Sequence, residues 1–127
     1  MEYMLIFRED QSNFGNRRNA GGDNPEWDRA PARWDAWMAY IGALRGAGVV
    51  RSGNGLQPPH TATVVRVRDG ARQVQDGPYA DTKEQLGGYF IIDVPDLDQA
   101  LEWAARSPAA VDGSVEVRPV MPPFGQG

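Results

Sequence analysis

The chain contains no cysteine, and His60 is its only histidine among 127 residues. The absence of cysteine excludes a disulfide framework, thiolate catalysis and every metal or iron–sulfur site that needs a sulfur ligand. A lone histidine predicts no zinc site, because zinc takes several such ligands at characteristic spacings. We therefore expect no metal, and any imidazole chemistry near neutral pH must use His60.

Positive charge is also scarce, with 13 Lys and Arg against 17 Asp and Glu and a formal net charge of −4. This balance offers no field that would attract nucleic acid or an anionic membrane, so neither is an expected partner. Long hydrophobic runs are missing, since Arg45 interrupts the nearest candidate for a membrane span. Glu2 stands where a signal peptide has a base. These features predict a cytoplasmic protein.

Hydrophobic residues make up 41% of the chain and charged residues 24%, which is the usage of ordinary globular proteins. The length predicts one domain over residues 1–127 that buries roughly two-thirds of its unfolded surface. No phosphate-loop or dinucleotide-binding pattern is present, so no nucleotide cofactor is expected.

Hydrophobic patterning predicts the order β, α, β, β-hairpin, β, α, β. Asp69-Gly70 is the hairpin signal, and Gly53-Asn54-Gly55 reads as a turn. Helices are expected from Pro25 or Pro31 to Gly46 or Gly48, and from Pro95-Asp96 to Pro108. The predicted strands are residues 3–7, 49–52, 61–68, 71–75, 89–94 and 114–120. Two helices on one face of an antiparallel sheet make an α+β fold.

Apolar residues at helical spacing predict the buried face of each helix. Trp34 and Trp37 are expected in the core, or at the floor of a cavity where helix meets sheet. In the hairpin, Val65 and Val67 are expected on a buried face and Arg66 and Arg68 on a solvated one. The remaining predicted core positions of the two helices are Met38, Ile41, Leu44, Leu97, Leu101 and Ala104.

Residues 8–24 are polar and rich in glycine, and they are longer than the usual connection between elements. Two interpretations stay open: a flexible insertion, or a lid over a site.

Residues 76–94, DGPYADTKEQLGGYFIIDV, place turn-forming residues and three carboxylates in a loop ahead of an apolar strand. This run resembles the signature of the DGPF subgroup of YCII-related proteins, with Tyr79 where the subgroup usually has Phe. The similarity continues through residues 96–105 and 113–121, and it includes residues 3–6 and 55–59.

The resemblance implies a ferredoxin-like sheet that pairs with a second copy as a dimeric α+β barrel. The wider superfamily includes cofactor-free isomerases, lyases and oxygenases, and this subgroup is associated with extracytoplasmic-function sigma factors. The wider YCII pattern also has a histidine on the first helix that pairs with an aspartate. This chain has Trp34, Asp35 and Trp37 there, so that dyad is not carried over.

Three residues are candidates for acid–base chemistry. Asp76 ends a strand ahead of Gly77-Pro78, where it can act as an acid or base or simply form the turn. His60 is the candidate imidazole, or an ordinary surface residue. Glu84 is a second carboxylate, although Asp81 to Glu84 has the spacing of a helix N-cap with a reciprocating Glu. Gly87-Gly88 is expected to end the turn with positive φ.

Four further residues are candidates for ligand binding. Tyr79 can offer its hydroxyl or anchor the loop, and Lys83 can balance a carboxylate or an anionic ligand. Arg118, like Arg66 and Arg68, can bind a carboxylate or remain a solvated charge. Trp37 completes the set as a pocket wall. The sequence thus predicts a homodimer that binds a small organic ligand, as a cofactor-free enzyme of lyase or isomerase type, or as a regulatory accessory protein.

Overall fold

The computed structural model describes residues 1–10, 31–80 and 82–123, and its elements follow the predicted order. A short 3₁₀ helix, Pro59–Thr61, precedes the hairpin. The strands are β1 Glu2–Asp10, β2 Val50–Gly55, β3 Thr63–Arg68, β4 Ala71–Asp76, β5 Glu84–Asp93 and β6 Ser114–Pro119; the helices are α1 Pro31–Gly46, α2 Leu97–Ala105 and α3 Ala109–Asp112.

Four of the described strands form an antiparallel sheet in the order β2-β5-β1-β6, and β3 pairs with β4 in a separate two-stranded ribbon. The order places the first and fifth strands at the centre, as in a ferredoxin-like fold. The architecture is therefore the predicted α+β sheet with helices on one face and an additional hairpin. Within the described residues, no helix is long and apolar enough to cross a membrane.

The core lies between the helices and one face of the sheet. Along β1, Tyr3, Leu5 and Phe7 are buried while their neighbours are half-buried, because successive side chains of a strand point to opposite faces. Leu5 is fully buried, and burial of such a side chain stabilises the fold by about 1.5–3 kcal/mol.

The buried face of α1 differs from the prediction by about one position. Tyr40 and Leu44 are buried and Trp37 packs against the core, whereas Trp34 and Met38 are about two-fifths exposed. Arg33, four residues before Trp37, continues the sheet-facing side of the helix. The apolar stripe of α1 is wider than the surface that contacts the sheet. Apolar spacing alone does not reveal which edge of that stripe meets the sheet, and this explains the error.

Helix α2 begins where predicted, and of its three predicted core residues only Ala104 is buried. Asp96 is the N-cap, and its carboxylate accepts a hydrogen bond from the Gln99 backbone N–H at 2.9 Å. Ala100 and Ala104 are fully or almost fully buried, whereas Leu97 and Leu101 are nearly half exposed, so their predicted core role is wrong. Small residues on the inner face let the helix approach the sheet closely.

Several predicted boundaries were wrong for reasons of tertiary pairing. Strand β1 extends to Asp10, so the predicted loop begins three residues too early; the rest of it, residues 11–24, lies outside the described part of the chain. Strand β2 runs through Gly53-Asn54-Gly55, which pair with β5 instead of turning. A Cβ at Gly53 would lie 2.0 Å from Phe90 Cδ1, so the absence of a side chain there lets Phe90 pack closely against the backbone of β2.

The hairpin turn is the predicted one, with φ of 53° at Asp69 and 77° at Gly70. The predicted burial is not found, because Val65 and Val67 are 57% and 62% exposed. The ribbon pairs with itself rather than with the sheet, so among the described residues no layer packs on its valine side. The short helix α3 was not predicted.

Candidate functional site

The carboxylate of Glu9 is buried near the C-terminal end of β1, on the face of the strand that packs against the helices. Glu9 continues the alternation of Tyr3, Leu5 and Phe7, and its side chain is only 1% exposed. Burial of an ionised carboxylate is costly unless charged or polar groups compensate it. The residues around Glu9 therefore form a candidate functional arrangement.

Arg33, in the first turn of α1, supplies that compensation. One of its terminal nitrogens lies 2.5 Å from Glu9 Oε1, and the other donates to Asp112 Oδ2 at 3.0 Å. The guanidinium thus joins strand β1, helix α1 and helix α3. Its side chain remains 23% exposed, so this charged cluster reaches solvent on one side.

Gly113 brings Asp112 into this arrangement. A Cβ at position 113 would lie 2.1 Å from the carbonyl oxygen of Arg8, so only glycine allows the end of α3 to approach β1 this closely. The Gly113 N–H donates to Ala109 O at 2.8 Å, which ends the short helix beside the strand.

Aromatic rings form the wall next to the charged cluster. Trp37 lies one helical turn after Arg33 and packs edge-on against Phe7, with ring centroids 5.2 Å apart. The Phe90 ring also packs edge-on against Phe7, with ring centroids 5.8 Å apart. Trp37 Nε1 is buried and has no hydrogen-bond partner among the described residues. A buried N–H without an acceptor costs free energy, so this donor is the most unusual polar group of the site.

The loop that follows Asp76 is fastened to the same end of the sheet by Gln85. Gln85 lies opposite Glu9 in the β1–β5 pairing and is buried. Its side-chain amide donates to the carbonyl oxygens of Ala80 at 2.7 Å and Thr82 at 3.0 Å. These bonds fix the loop that follows Asp76 beside the buried carboxylate.

Asp76 and His60 lie together at the base of the hairpin. Asp76 ends β4 opposite Thr63, and the following Gly77 N–H donates to Ala62 O at 2.8 Å. His60 is in the 3₁₀ helix directly before Ala62 and Thr63. Both side chains are exposed, and within the described residues no hydrogen bond or ion pair connects either of them to Glu84.

Glu84 and Lys83 stand at the beginning of β5. Glu84 accepts a hydrogen bond from Ser114 Oγ at 2.6 Å, and Lys83 Nζ lies 3.9 Å from Asp10 Oδ2. No helix begins here, so the predicted N-cap is wrong; Asp81 itself lies outside the described residues. Gly87 and Gly88 lie within the strand at its irregularity opposite Phe7 and Arg8, and neither has positive φ.

Tyr79 and Arg118 lie apart from the buried cluster. The Tyr79 ring is 83% exposed, and the Arg66 guanidinium of the hairpin lies 5.8 Å from its centroid. Arg118 pairs with Glu116 at 3.3 Å on the sheet face opposite the helices. Among the predicted residues, Trp37 is the one next to the Glu9–Arg33 cluster, one helical turn after Arg33 and packed on Phe7.

Tyr40 supports the wall from behind. Its hydroxyl donates to Trp103 O at 2.8 Å, and its ring packs against Trp37. Burial raises the pKa of Tyr40 far above its usual value, which the positive charge of Arg106 only partly offsets. The phenol stays neutral and acts as a structural donor.

Sequence reasoning missed Glu9, Arg33 and Asp112. One signal was available for Glu9, because it occupies the next buried position of the β1 alternation. Nothing local marks Arg33 or Asp112, since only the packing of three elements brings them together. Within the described residues, no group of three or more His, Cys, Asp or Glu is arranged to hold a metal ion. The cluster can instead present an N–H and a guanidinium beside aromatic walls.

The sheet order and the inserted hairpin define a ferredoxin-like α+β protein with a charged, aromatic-lined site between its helices and sheet. The chain belongs to the YCII-related domain family, whose model matches residues 1–123.

Proteins similar to it include an uncharacterised protein and an enzyme of known structure. An uncharacterised protein of Rhizobium meliloti (strain 1021) is 45% identical over 67 residues; this covers 51% of the chain and 54% of that protein, so the match spans about half of each. The structure of the 5-chloro-2-hydroxyhydroquinone dehydrochlorinase TftG from Burkholderia phenoliruptrix AC1100, in complex with 2,5-dihydroxybenzoquinone, aligns with a TM-score of 0.51. It is 13% identical and covers 95% of this chain and 94% of its own, a likeness of fold.

Proposed function

We propose that this protein binds a small, largely planar organic molecule at the Glu9–Arg33–Trp37 site. The observation that carries the proposal is the buried Trp37 Nε1–H, which has no acceptor among the described residues. A ligand oxygen would supply the missing acceptor and recover the free energy of an unpaired buried donor, about 1–3 kcal/mol.

The surroundings of that donor favour an aromatic or quinone-like ring with a carbonyl, phenolate or carboxylate oxygen. Phe7 and Phe90 offer apolar surface, and Arg33 adds positive charge for an electron-rich oxygen. The dihydroxybenzoquinone bound by TftG has this chemistry, which supports such a ligand on the shared fold.

The catalytic group in this proposal is the carboxylate of Asp76, as predicted from the sequence. Asp76 would act as a general acid or base, with His60 or Glu84 assisting and Tyr79, Lys83 or Arg118 contacting substrate, in a cofactor-free lyase or isomerase reaction. Support comes from the base of the hairpin, where Asp76 pairs with Thr63, three residues after His60, and from Gln85, whose amide fastens Ala80 beside Glu9.

A homodimer and a cytoplasmic location complete the proposal. The sheet face opposite the helices presents Met4, Ile6, Tyr89 and Ile91 only half-buried, and no described helix packs on it. A second copy that packs its equivalent face there would bury both surfaces.

The binding proposal is tested by NMR with a panel of small quinones, phenols and aromatic carboxylates. Each indole N–H gives its own signal, and Trp37→Phe identifies that of Trp37 while keeping an aromatic ring. A binding compound should shift the Trp37 signal strongly and the Trp103 signal little. Trp103→Phe, a matched change away from the site, should leave affinity unchanged; Trp37→Phe should weaken it by about tenfold. Binding that leaves the Trp37 signal in place, or no binding by any compound, rejects the proposal.

The catalytic part is tested separately with Asp76→Asn, which keeps the shape of the turn and removes the charge. With a turnover assay in hand, loss of an acid–base carboxylate should lower the rate by roughly 10²-fold or more without unfolding the protein. Unchanged turnover would move the chemistry away from this motif.

A non-catalytic accessory role, associated with an extracytoplasmic-function sigma factor, is the second candidate. It is favoured by the exposure of Asp76 and His60, since within the described residues neither side chain has a hydrogen-bonding partner that would tune it for proton transfer. Under this alternative the ligand would still bind at Trp37, and Asp76→Asn would leave binding and regulation intact.

A further inference from the structure

The hairpin arm, Thr63–Asp76, carries an apolar surface that no described part of its own chain covers. Val65 and Val74 are directly paired across the two strands, and Val67 follows on the same face. All three are more than half exposed. An isolated two-stranded ribbon is marginally stable in water, so an arm of this kind gains from a partner that covers its apolar side.

The arm is also positively charged within an acidic protein. Arg66, Arg68 and Arg72 lie in it against Asp69 and Asp76, whereas the whole chain has a net charge of −4. Arg72 is paired with Val67 and so shares the valine face. The arm therefore presents an apolar strip with a cation beside it.

The complementary surface lies on the outside of α2. Leu97 and Leu101 are 47% and 46% exposed and stand one helical turn apart. Asp98 and Glu102, also one turn apart and exposed, lie directly beside them. This helix thus offers apolar side chains flanked by carboxylates, which matches the valines and arginine of the arm in both hydrophobicity and charge.

We propose that the valine face of the arm docks on the outer surface of α2 in a second copy of this chain. The two contacts of a symmetric pair are equivalent, each arm reaching the partner's helix, so the arrangement closes after two copies. The valines cover Leu97 and Leu101, and Arg72 approaches Asp98 or Glu102. The inference is independent of the ligand proposal, and it adds a second contact to the proposed self-association.

The absence of cysteine gives a clean cross-linking test, because each introduced thiol is the only one in its chain. Val67→Cys chains are mixed with tagged Leu101→Cys chains and treated with a short bis-maleimide. The matched control pairs Val67→Cys with Val111→Cys, an 86% exposed position on α3. We expect the first mixture to give the mixed dimer at several times the yield of the control.

Charge reversal then tests the proposed pairing. Arg72→Glu in the Val67→Cys chain should lower the yield about fivefold, as a lost ion pair of about 1 kcal/mol implies. Glu102→Arg in the Leu101→Cys chain should restore it. Three outcomes overturn the inference: equal yields with the Val111 control, Val67→Cys chains that cross-link mainly to each other, or a dimer by sedimentation that gives no arm-to-helix product.

Discussion

The helix-facing side of the sheet and the hairpin arm have the same alternating β pattern, but their apolar side chains differ in burial. On the sheet, Tyr3, Leu5 and Phe7 are buried under the helices. On the arm, Val65 and Val67 are more than half exposed, although their backbone pairing is equally regular. Alternation therefore reports that a strand has two unlike faces, and the presence of a covering layer decides whether the apolar face is buried.

The largest expected difference between the two regions is in core packing. Leu5→Ala should lower the free energy of unfolding by about 3–4 kcal/mol, because it leaves a cavity at a fully buried position. Val65→Ala, measured by the same urea titration at low protein concentration, should change it by at most about 0.5 kcal/mol. A loss at position 65 that equals the Leu5 loss at every concentration would show that the arm is covered within one chain.

A second pair of variants compares charged groups. Arg33→Met takes the guanidinium away from the buried Glu9 carboxylate and should cost about 3 kcal/mol, the low end for breaking a buried ion pair, because Arg33 is partly exposed. Arg66→Met removes a half-buried arginine whose solvent-exposed hydrogen bond to Gln75 Oε1 is 3.1 Å long, and should cost less than about 1 kcal/mol.

Equal effects of the two arginine variants in urea unfolding would contradict a special role for the Glu9–Arg33 cluster in the fold. The same two variants also test the proposed binding site. Arg33→Met should weaken binding of an anionic ring compound, and Arg66→Met should not.

The smallest difference concerns two tyrosines at alkaline pH. Because burial raises the pKa of Tyr40, the folded chain holds that phenol proton more tightly than the unfolded chain. This stabilisation is complete below about pH 10 and is lost as the pH rises towards the folded pKa, at no more than about 1.4 kcal/mol per pH unit.

Tyr40→Phe should therefore cost about 1 kcal/mol at pH 9, through the lost bond to Trp103 O, and should flatten the decline in stability between pH 10 and 11. Tyr79→Phe removes an exposed hydroxyl and should leave both quantities unchanged. Urea unfolding at several pH values distinguishes them; a parallel decline in Tyr40→Phe and the unchanged protein would contradict the assignment.

Much of the fold was predictable because it depends on local chemistry. Asp69-Gly70 adopts the positive φ values that a two-residue hairpin turn requires, and Asp96 caps α2 as its position after Pro95 indicates. The errors arose where partners decide the outcome. Gly53 and Gly55 resemble a turn in sequence, yet both are strand residues opposite β5, and at Gly53 the missing side chain lets Phe90 approach closely.

The candidate site was less predictable than the fold. The motif containing Asp76 stands out in sequence because turn-forming residues cluster there, whereas its proposed chemistry stays a prediction. Arg33 and Asp112 are 79 residues apart along the chain, and a distance of 3.0 Å between their side chains follows only from the packing of α1, α3 and β1. A local pattern contains no information about such a contact.

The sequence by itself determined the order of strands and helices, the hairpin and the family, because alternation, turn chemistry and capping act over a few residues. Tertiary structure alone decided which apolar faces are covered and which charges meet. Those outcomes depend on the layer that packs against each face: it buries Leu5, leaves Val65 exposed, and brings Arg33 to Glu9 beside the unpaired N–H of Trp37.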